Sequence, residues 1–307
     1  VRRGSGRERL VVALAAALIA ISPSRPSRAE RSSGDILAID IGGLGVKYQL
    51  FAGDGRPLSR ATRVATPPRA TPQQIESLVI GIHRRVTRRM APGRRLEGVV
   101  IGFPGTVERG RVRGAPNLDA AAWHNRGRGV NLEGRLRRRL PVRVVVDSDL
   151  IVASHGLAPA TGRTLLVGLG TGVGVTVIER ARTRLRIGSP WQDHATEMTE
   201  LERTTGEHAR RAVGTERWNL HVVDDVIPTL RDWTTPDRVL VFGGNAEHLR
   251  RDPALRRKLR RSGIELHDNP RFANLKGAVP YWKATARGRR RPVARSSRLR
   301  PVPRARR

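Results

Sequence analysis

The 307-residue chain has no cysteine, which excludes disulfides and thiolate metal sites and leaves the redox compartment open. It is nearly without lysine, which occurs only at Lys47, Lys258, Lys276 and Lys283, and it is short of acids, with 27 Asp and Glu against 59 Lys and Arg. The net charge is therefore +32, carried by arginine. Seven arginines against two glutamates stand in the first 34 residues, ten arginines and no acid stand in 284–307, and +17 remains between them. Such an excess attracts polyanions such as nucleic acid, polyphosphate or anionic lipid; arginine-rich codon usage with a solvated surface produces the same charge. The length suits one large or two ordinary domains.

There is also no long apolar run. Leu10–Ile21 is the longest uncharged apolar stretch; Arg2, Arg3, Arg7 and Arg9 precede it, and Ser27-Arg28-Ala29 follows. These are the three parts of a secretory signal, too short for an ordinary membrane span. The chain opens with Val, so a mis-extended start is the alternative, and residues 1–34 are expected to stand outside the fold either way.

What is present is organised around Val142–Val177. Asp147 ends a β-branched run, and about twenty residues later Gly170-Thr171-Gly172-Val173-Gly174 separates two apolar runs. Glycines between strands admit a ligand close to the backbone, and their N–H groups form a concave anion nest; a tight hairpin turn is the alternative. Upstream, Ile36–Ile41 reads as a strand entering Gly42-Gly43-Leu44-Gly45, with Val46–Phe51 returning. Asp40, the glycine turn and Lys47 suit a phosphate site, the acid being able to hold a metal ion; a plain hairpin with Asp40 in the turn is again the alternative.

Thr71-Pro72-Gln73-Gln74 starts a helix with a capping box and an apolar face of Ile75, Leu78, Val79, Ile82 and Val86, on which His83 is expected at the surface. Val99–Ile101 is a buried strand, Glu108–Arg111 a hairpin turn, and Asn117 lies in a loop where it either binds a polar ligand or shapes a turn. Asn131–Leu140 reads as a basic helix and Val142–Val146 as a buried parallel strand, so strand–helix alternation from 96 to 170 predicts an α/β architecture. In such sheets ligands sit at the carboxyl ends of strands, where Asp40, Gly102–Thr106, Asp147 and Gly170 fall.

Further on, His194 either orients a ligand or is an ordinary loop residue. Helices are expected over Leu201–Val213 and Thr215–Trp233, the second bent at Pro228. Arg238–Phe242 reads as a strand ending in Gly243-Gly244-Asn245, a third candidate phosphate or nucleotide contact that opens a helix. Ile264–Leu266 is a last strand, Asn274–Trp282 a closing helix, and the tail from Ala284 is expected to be disordered.

The ordered motifs IDIGGLGVK (39–47), GFPGTV (102–107), APNL (115–118), VVVDSD (144–149), LGTGVG (169–174) and GGNAEHL (243–249) resemble the ROK family of sugar kinases and repressors, closest to its polyphosphate glucokinase branch. The resemblance covers roughly 35–283. It implies an actin-like ATPase (ribonuclease H-like) fold with two α/β lobes, 35–145 and 146–283, around a cleft. It also implies phosphorylation of glucose or a related hexose, at the 6-hydroxyl, by polyphosphate and/or ATP with Mg²⁺, and a cytoplasmic enzyme, or an exported one if 10–21 is a true signal. On the family's pattern Asp147 is the general base. Asp40, Gly42, Gly43 and Lys47 form the first phosphate motif, with Mg²⁺ held through Asp40, and Gly170, Thr171, Gly172 and Gly174 form the second. Gly243, Gly244 and Asn245 lie on the nucleotide side, and Asn117, Asp147 and His194 contact the sugar.

This chain departs from the pattern in three places. Leu44 replaces a hydroxyl residue, Val146 replaces the Asn before the base, and Trp191 stands for the sugar-binding Glu. Each lost polar contact costs on the order of 1–3 kcal/mol, which makes a catalytically impaired homologue that still binds anions the main alternative. A polyanion or nucleic-acid binder acting through 284–307 is a second alternative. No zinc is expected, since the family's cysteine-rich element is absent. Nor is specific DNA binding, since Ile36 leaves no room before it for the repressors' winged helix. Family members are commonly dimers, so a homodimer is possible.

Overall fold

The computed structural model describes residues 34–157, 159, 161–181, 184–188 and 193–286. The apolar leader, Trp191 and the arginine tail beyond Ala286 lie outside the described residues.

The first half builds one five-stranded sheet. Its elements are β1 (Asp35–Ile41), β2 (Gly45–Phe51), β3 (Thr62–Ala65), α1 (Pro72–Thr87), β4 (Leu96–Phe103), the hairpin β5 (Thr106–Glu108) and β6 (Arg111–Gly114), α2 (Ala120–His124), α3 (Leu132–Arg137) and β7 (Arg143–Ser148). The strand order is β3-β2-β1-β4-β7; β1, β4 and β7 run parallel, and β2 and β3 are antiparallel additions. Alternate side chains serve two cores. Leu37, Ile39, Val99, Ile101, Val144 and Val146 face α1 and α3, whereas Ile36, Ala38, Val100 and Val145 face the opposite way. Because both faces are covered, the central strands read as unbroken apolar runs.

The second half follows with α4 (Asp149–Leu157), β8 (Gly162–Leu169), β9 (Val173–Ala181), β10 (Arg184–Gly188), α5 (Ala195–Thr205), α6 (Glu207–Val213), α7 (Thr215–His221), α8 (Ile227–Thr234), β11 (Arg238–Phe242), α9 (Ala246–Arg251), α10 (Pro253–Arg261), β12 (Ile264–Leu266) and α11 (Ala278–Ala286). Its sheet has the order β10-β9-β8-β11-β12. Helix α4 lies between the two sheets: Val152 packs with Ile36, Val100 and Val145 of the first, while Leu150 and Leu157 pack against Leu166, Leu240 and Phe242 of the second. The closing α11 returns to the first sheet, where the Trp282 ring fills the space over Gly98 and carries the Arg143 guanidinium 4.7 Å above it.

Local signals in the sequence form as expected in several places. Thr71 caps α1 in a full capping box, its N–H donating to Gln74 Oε1 at 2.8 Å. Arg109 and Gly110, at φ 50° and 78°, make the β5–β6 turn. Other expectations are corrected. His83 is buried, not at the surface, and desolvation followed by the Arg84 charge lowers its pKa. The helix expected over 201–213 breaks at Gly206, whose extended backbone (ψ 172°) lets it pass close under the Thr171 carbonyl. The helical stretch expected over 215–233 with a bend at Pro228 does form, running unbroken from Thr215 to Thr234; the irregularity is a π-helical turn at 222–226, just ahead of Pro228, which has no N–H to continue the regular ladder. The closing helix begins at Ala278 after a 3₁₀ segment over 270–277, and it runs to Ala286, so the first residues of the expected disordered tail are helical. Among the described residues no helix is long and apolar enough to cross a membrane.

Glycine decides the contact between α4 and the C-terminal segment. A Cβ at Gly277 would collide with the Val152 carbonyl, and one at Gly156 would meet the Lys276–Gly277 peptide. Gly277→Ala is therefore expected to lower stability by about 1–3 kcal/mol. Gly81→Ala, in open space on α1, should raise it by roughly 0.5–1 kcal/mol. Urea unfolding midpoints of the two variants, moving in opposite directions, are the check.

Candidate active site

The register of the first sheet aligns one transverse row across all five strands. Arg63 on β3 pairs with Lys47 on β2, Lys47 with Asp40 on β1, Asp40 with Gly102 on β4, and Gly102 with Asp147 on β7. Paired residues share a face, so cations stand at one end of the row and a carboxylate at the other, at the carboxyl ends of the parallel strands. Two strand spacings put Asp40 and Asp147 about 10 Å apart. Gly102 leaves the middle open, and the Asp149 backbone fills it, with Cα 3.0 Å from where a Cβ would stand.

At the cationic end, Gly42–Gly45 turns β1 into β2. The Gly42 N–H donates to the Gly45 carbonyl at 3.1 Å, and the Thr66 hydroxyl donates to the Gly42 carbonyl at 2.6 Å. Lys47 Nζ lies 2.7 Å from Asp40 Oδ2, and Asn274 Nδ2 donates to Asp40 Oδ1 at 3.2 Å. Asn274 Oδ1 is buried without a hydrogen-bond partner. Leu44, at the tip, is 47% exposed.

At the other end Asp147 is buried. The Tyr281 hydroxyl of α11 donates to its Oδ2, and the Ser148 N–H donates to its Oδ1 at 2.8 Å. Tyr281 is itself buried and meets the His155 ring edge-on at 5.0 Å. His155, on α4, is held neutral by burial and by Arg180, its pKa pushed down to about 4. Asp149, between the two carboxylates of the row, has its pKa pushed up to about 7, chiefly by burial and then by the Asp40 charge, against the opposing pull of the Leu150 N–H, Lys47 and the Ser148 hydroxyl.

The second glycine turn meets the first. A Cβ on Gly43 would stand 3.0 Å from the Asn117 carbonyl oxygen and 3.2 Å from Thr171 Cγ2, so the absent side chain lets the two turns approach this closely without displacement. Gly172 leaves room for the Glu202 carboxylate of α5, and Asn117 Nδ2 lies 3.5 Å from the same point. Burial raises the Glu202 pKa. The third motif is tied to this turn: Asn245 donates from its backbone to the Leu169 carbonyl and from Nδ2 to the Gly170 carbonyl, both at 2.9 Å. Gly243, at φ 104°, passes against the Leu169 carbonyl, where a side chain would clash. Gly174 packs under Leu150.

The structure therefore brings together Asp40, Gly42, Gly43 and Lys47, then Asn117 with Gly170–Gly172, and ties Gly243–Asn245 to that turn. Asp147 lies along the row on the Tyr281 side. His194 stands at the start of α5, the helix that carries Glu202, and its ring stacks on Trp233 of α8 with centroids 4.4 Å apart. Val146 points away from Asp147 into the core with Leu132 and Leu136, and is fully buried. Motif reading missed Tyr281, Asn274, Asp149, Glu202 and Arg63. Asp149 alone had a visible signal, two residues past Asp147; the others arrive from distant segments. Among the described residues no group of three or more His, Asp or Glu side chains is placed to hold a metal ion. The donor set at Asp40, with Asp149 beside it, fits Mg²⁺, which takes one or two carboxylates and keeps its waters, and does not fit a closed zinc cage.

The Asp149 pKa in the folded chain stands above its ordinary 3.8, so the stability it contributes is complete below that value and is lost as pH rises through about 7. Asp149→Asn should accordingly gain on the wild type between pH 5 and pH 8 in paired urea titrations, and an equal gap at both pH values would contradict this. Tyr281→Phe removes a buried donor from Asp147 and should cost about 1–3 kcal/mol of unfolding free energy, read from the same titration.

In comparisons with known proteins, no curated protein sequence matches the chain. Solved structures do. The inorganic polyphosphate/ATP-glucomannokinase of Arthrobacter sp. strain KM is similar with a TM-score of 0.69 at 22% identity, over 83% of this chain and 99% of that one. A ROK family glucokinase of Streptomyces griseus, in complex with glucose and AMPPNP, reaches 0.61 at 20% identity, over 80% and 98%. A ROK family transcriptional regulator, a homolog of the E. coli MLC protein, reaches 0.55 at 15% identity, over 83% and 79%. At these identities the likeness concerns the fold, which is the actin-like ATPase fold that the motifs imply. Residues 36–189 match the ROK family profile, and with half of its length inside that match the chain belongs to the ROK family.

Proposed function

We propose that the protein is a sugar kinase that moves the terminal phosphoryl group of polyphosphate or ATP onto a hexose hydroxyl, with the 6-hydroxyl of glucose as the first substrate to test. The observation that supports this reading best is the transverse row, which sets a carboxylate and a glycine phosphate turn on one face at the carboxyl ends of the strands. The likeness to a glucomannokinase and a glucokinase supports it as well.

In this reading Asp147 accepts the hydroxyl proton as the sugar oxygen attacks phosphorus, and the bond from phosphorus to the donor's bridging oxygen breaks. Tyr281 and the Ser148 N–H hold the carboxylate in place, so little is lost in orienting it. The amides of Gly42–Gly45 and Gly170–Gly174, with Lys47, meet the phosphate oxygens. Asn117 and Glu202, adjacent at the junction of the turns, offer a donor and an acceptor to sugar hydroxyls. Asn245, spent on the Gly170 carbonyl, sets the spacing between turn and nucleotide side. Asp40, with Asp149 beside it, would hold Mg²⁺, which when bound neutralises charge on the phosphates.

A second reading is favoured by Val146 and Leu44. An apolar side chain sealed in the core at 146 gives the sugar no hydrogen bond, and Leu44 puts no hydroxyl by the phosphates. That describes a chain that binds phosphoanhydrides without turnover. A coupled assay for glucose 6-phosphate, run separately with polyphosphate and ATP, decides between the two. Turnover that falls on the order of 10²–10⁴-fold in Asp147→Asn supports the kinase. Absence of turnover in a folded protein that still binds tripolyphosphate by calorimetry supports the second reading.

A further inference from the structure

The row carries two cations, Lys47 and Arg63. Lys47 is neutralised by Asp40 at 2.7 Å. Its cross-strand neighbour Arg63, one strand further out, faces the same side and is exposed, and among the described residues it has no carboxylate partner. Its Nη2 donates instead to the carbonyl of Leu44, at the tip of the first phosphate turn. The guanidinium lies over Gly45, where any Cβ would run into Nε, Cζ and Nη2, so the glycine is what lets the arginine cover the turn. A guanidinium has five N–H donors in a rigid fork, and a single carbonyl leaves most of them for another acceptor.

We propose that Arg63 is a contact for the donor's phosphates and sets affinity for the donor. It would hold phosphoanhydride oxygens in the fork beside the amides of Gly42–Gly45, where Leu44 supplies no hydroxyl. A planar, permanently charged fork suits a phosphate better than the paired Lys47 can, because Lys47 must share its charge with Asp40. Arg63 is a binding residue here and takes no part in proton transfer, since it stands at the far end of the row from Asp147. The inference rests on the kinase reading for the identity of the donor, while the binding itself can be measured without turnover.

The test uses the full chain with Arg63→Gln and Arg63→Lys. Isothermal calorimetry with inorganic tripolyphosphate and with ATP–Mg²⁺ should show Kd rising roughly tenfold or more in Arg63→Gln and partly restored in Arg63→Lys. In the coupled assay the donor KM should rise by a similar factor, with kcat and the sugar KM within about twofold. Loss confined to tripolyphosphate assigns Arg63 to an inorganic chain, and equal loss with ATP assigns it to phosphates that both donors share. Unchanged donor Kd in Arg63→Gln would overturn the proposal, as would a fall in kcat with donor KM unchanged. If the wild type lacks turnover, the kinase reading fails on the assay while calorimetry still judges Arg63.

Discussion

The pairing of β4 between β1 and β7 is the constraint on which the site depends. Because that register is parallel and unshifted at Asp40, Gly102 and Asp147, three residues far apart in sequence fall on one line. A slip of one residue at either pairing would turn a carboxylate to the opposite face, into the apolar layer beneath α1 and α3. Gly102 matters as much as the acids: its missing side chain admits the start of α4 and sets Asp149 between Asp40 and Asp147, where burial and a neighbouring charge raise its pKa to about 7.

Helix α4 transmits this arrangement to the second half of the chain. It starts two residues after the candidate base at the end of β7 and packs on both sheets, so Leu150 under Gly174 and Val152 against Gly277 sit on the helix that continues directly from Asp147. The two glycine turns then meet at a close contact that the missing side chain of Gly43 makes room for, against Asn117 and Thr171. The C-terminal helix closes the set from the other side: Tyr281 binds Asp147 and Trp282 fills the space over Gly98. Residues 35–286 thus depend on one another across a separation that no local segment reveals.

Much was legible from residue patterns where the controlling physics is local. The capping box at Thr71, the Arg109–Gly110 hairpin, the buried strands and the three glycine turns each follow from interactions within a few residues, and they form as read. His83 misled because its surroundings along the helix are arginines while its burial depends on what packs there. Gly206 misled over helix length, because the break arises where α5 and α6 meet the Thr171 turn.

The sequence by itself determined the family, the α/β character and where the glycine turns and strand-end acids fall, because glycine turns after apolar strands and acids at strand ends are short-range signatures with few structural solutions. Only the tertiary structure decided which of those residues work together. It joined Tyr281 to Asp147 and Asn274 to Asp40 across 134 and 234 positions, turned Val146 into the core, and laid Arg63 over the first glycine turn. These outcomes rest on strand register and on helices packing where side chains are absent, and both are set by the whole chain folding at once.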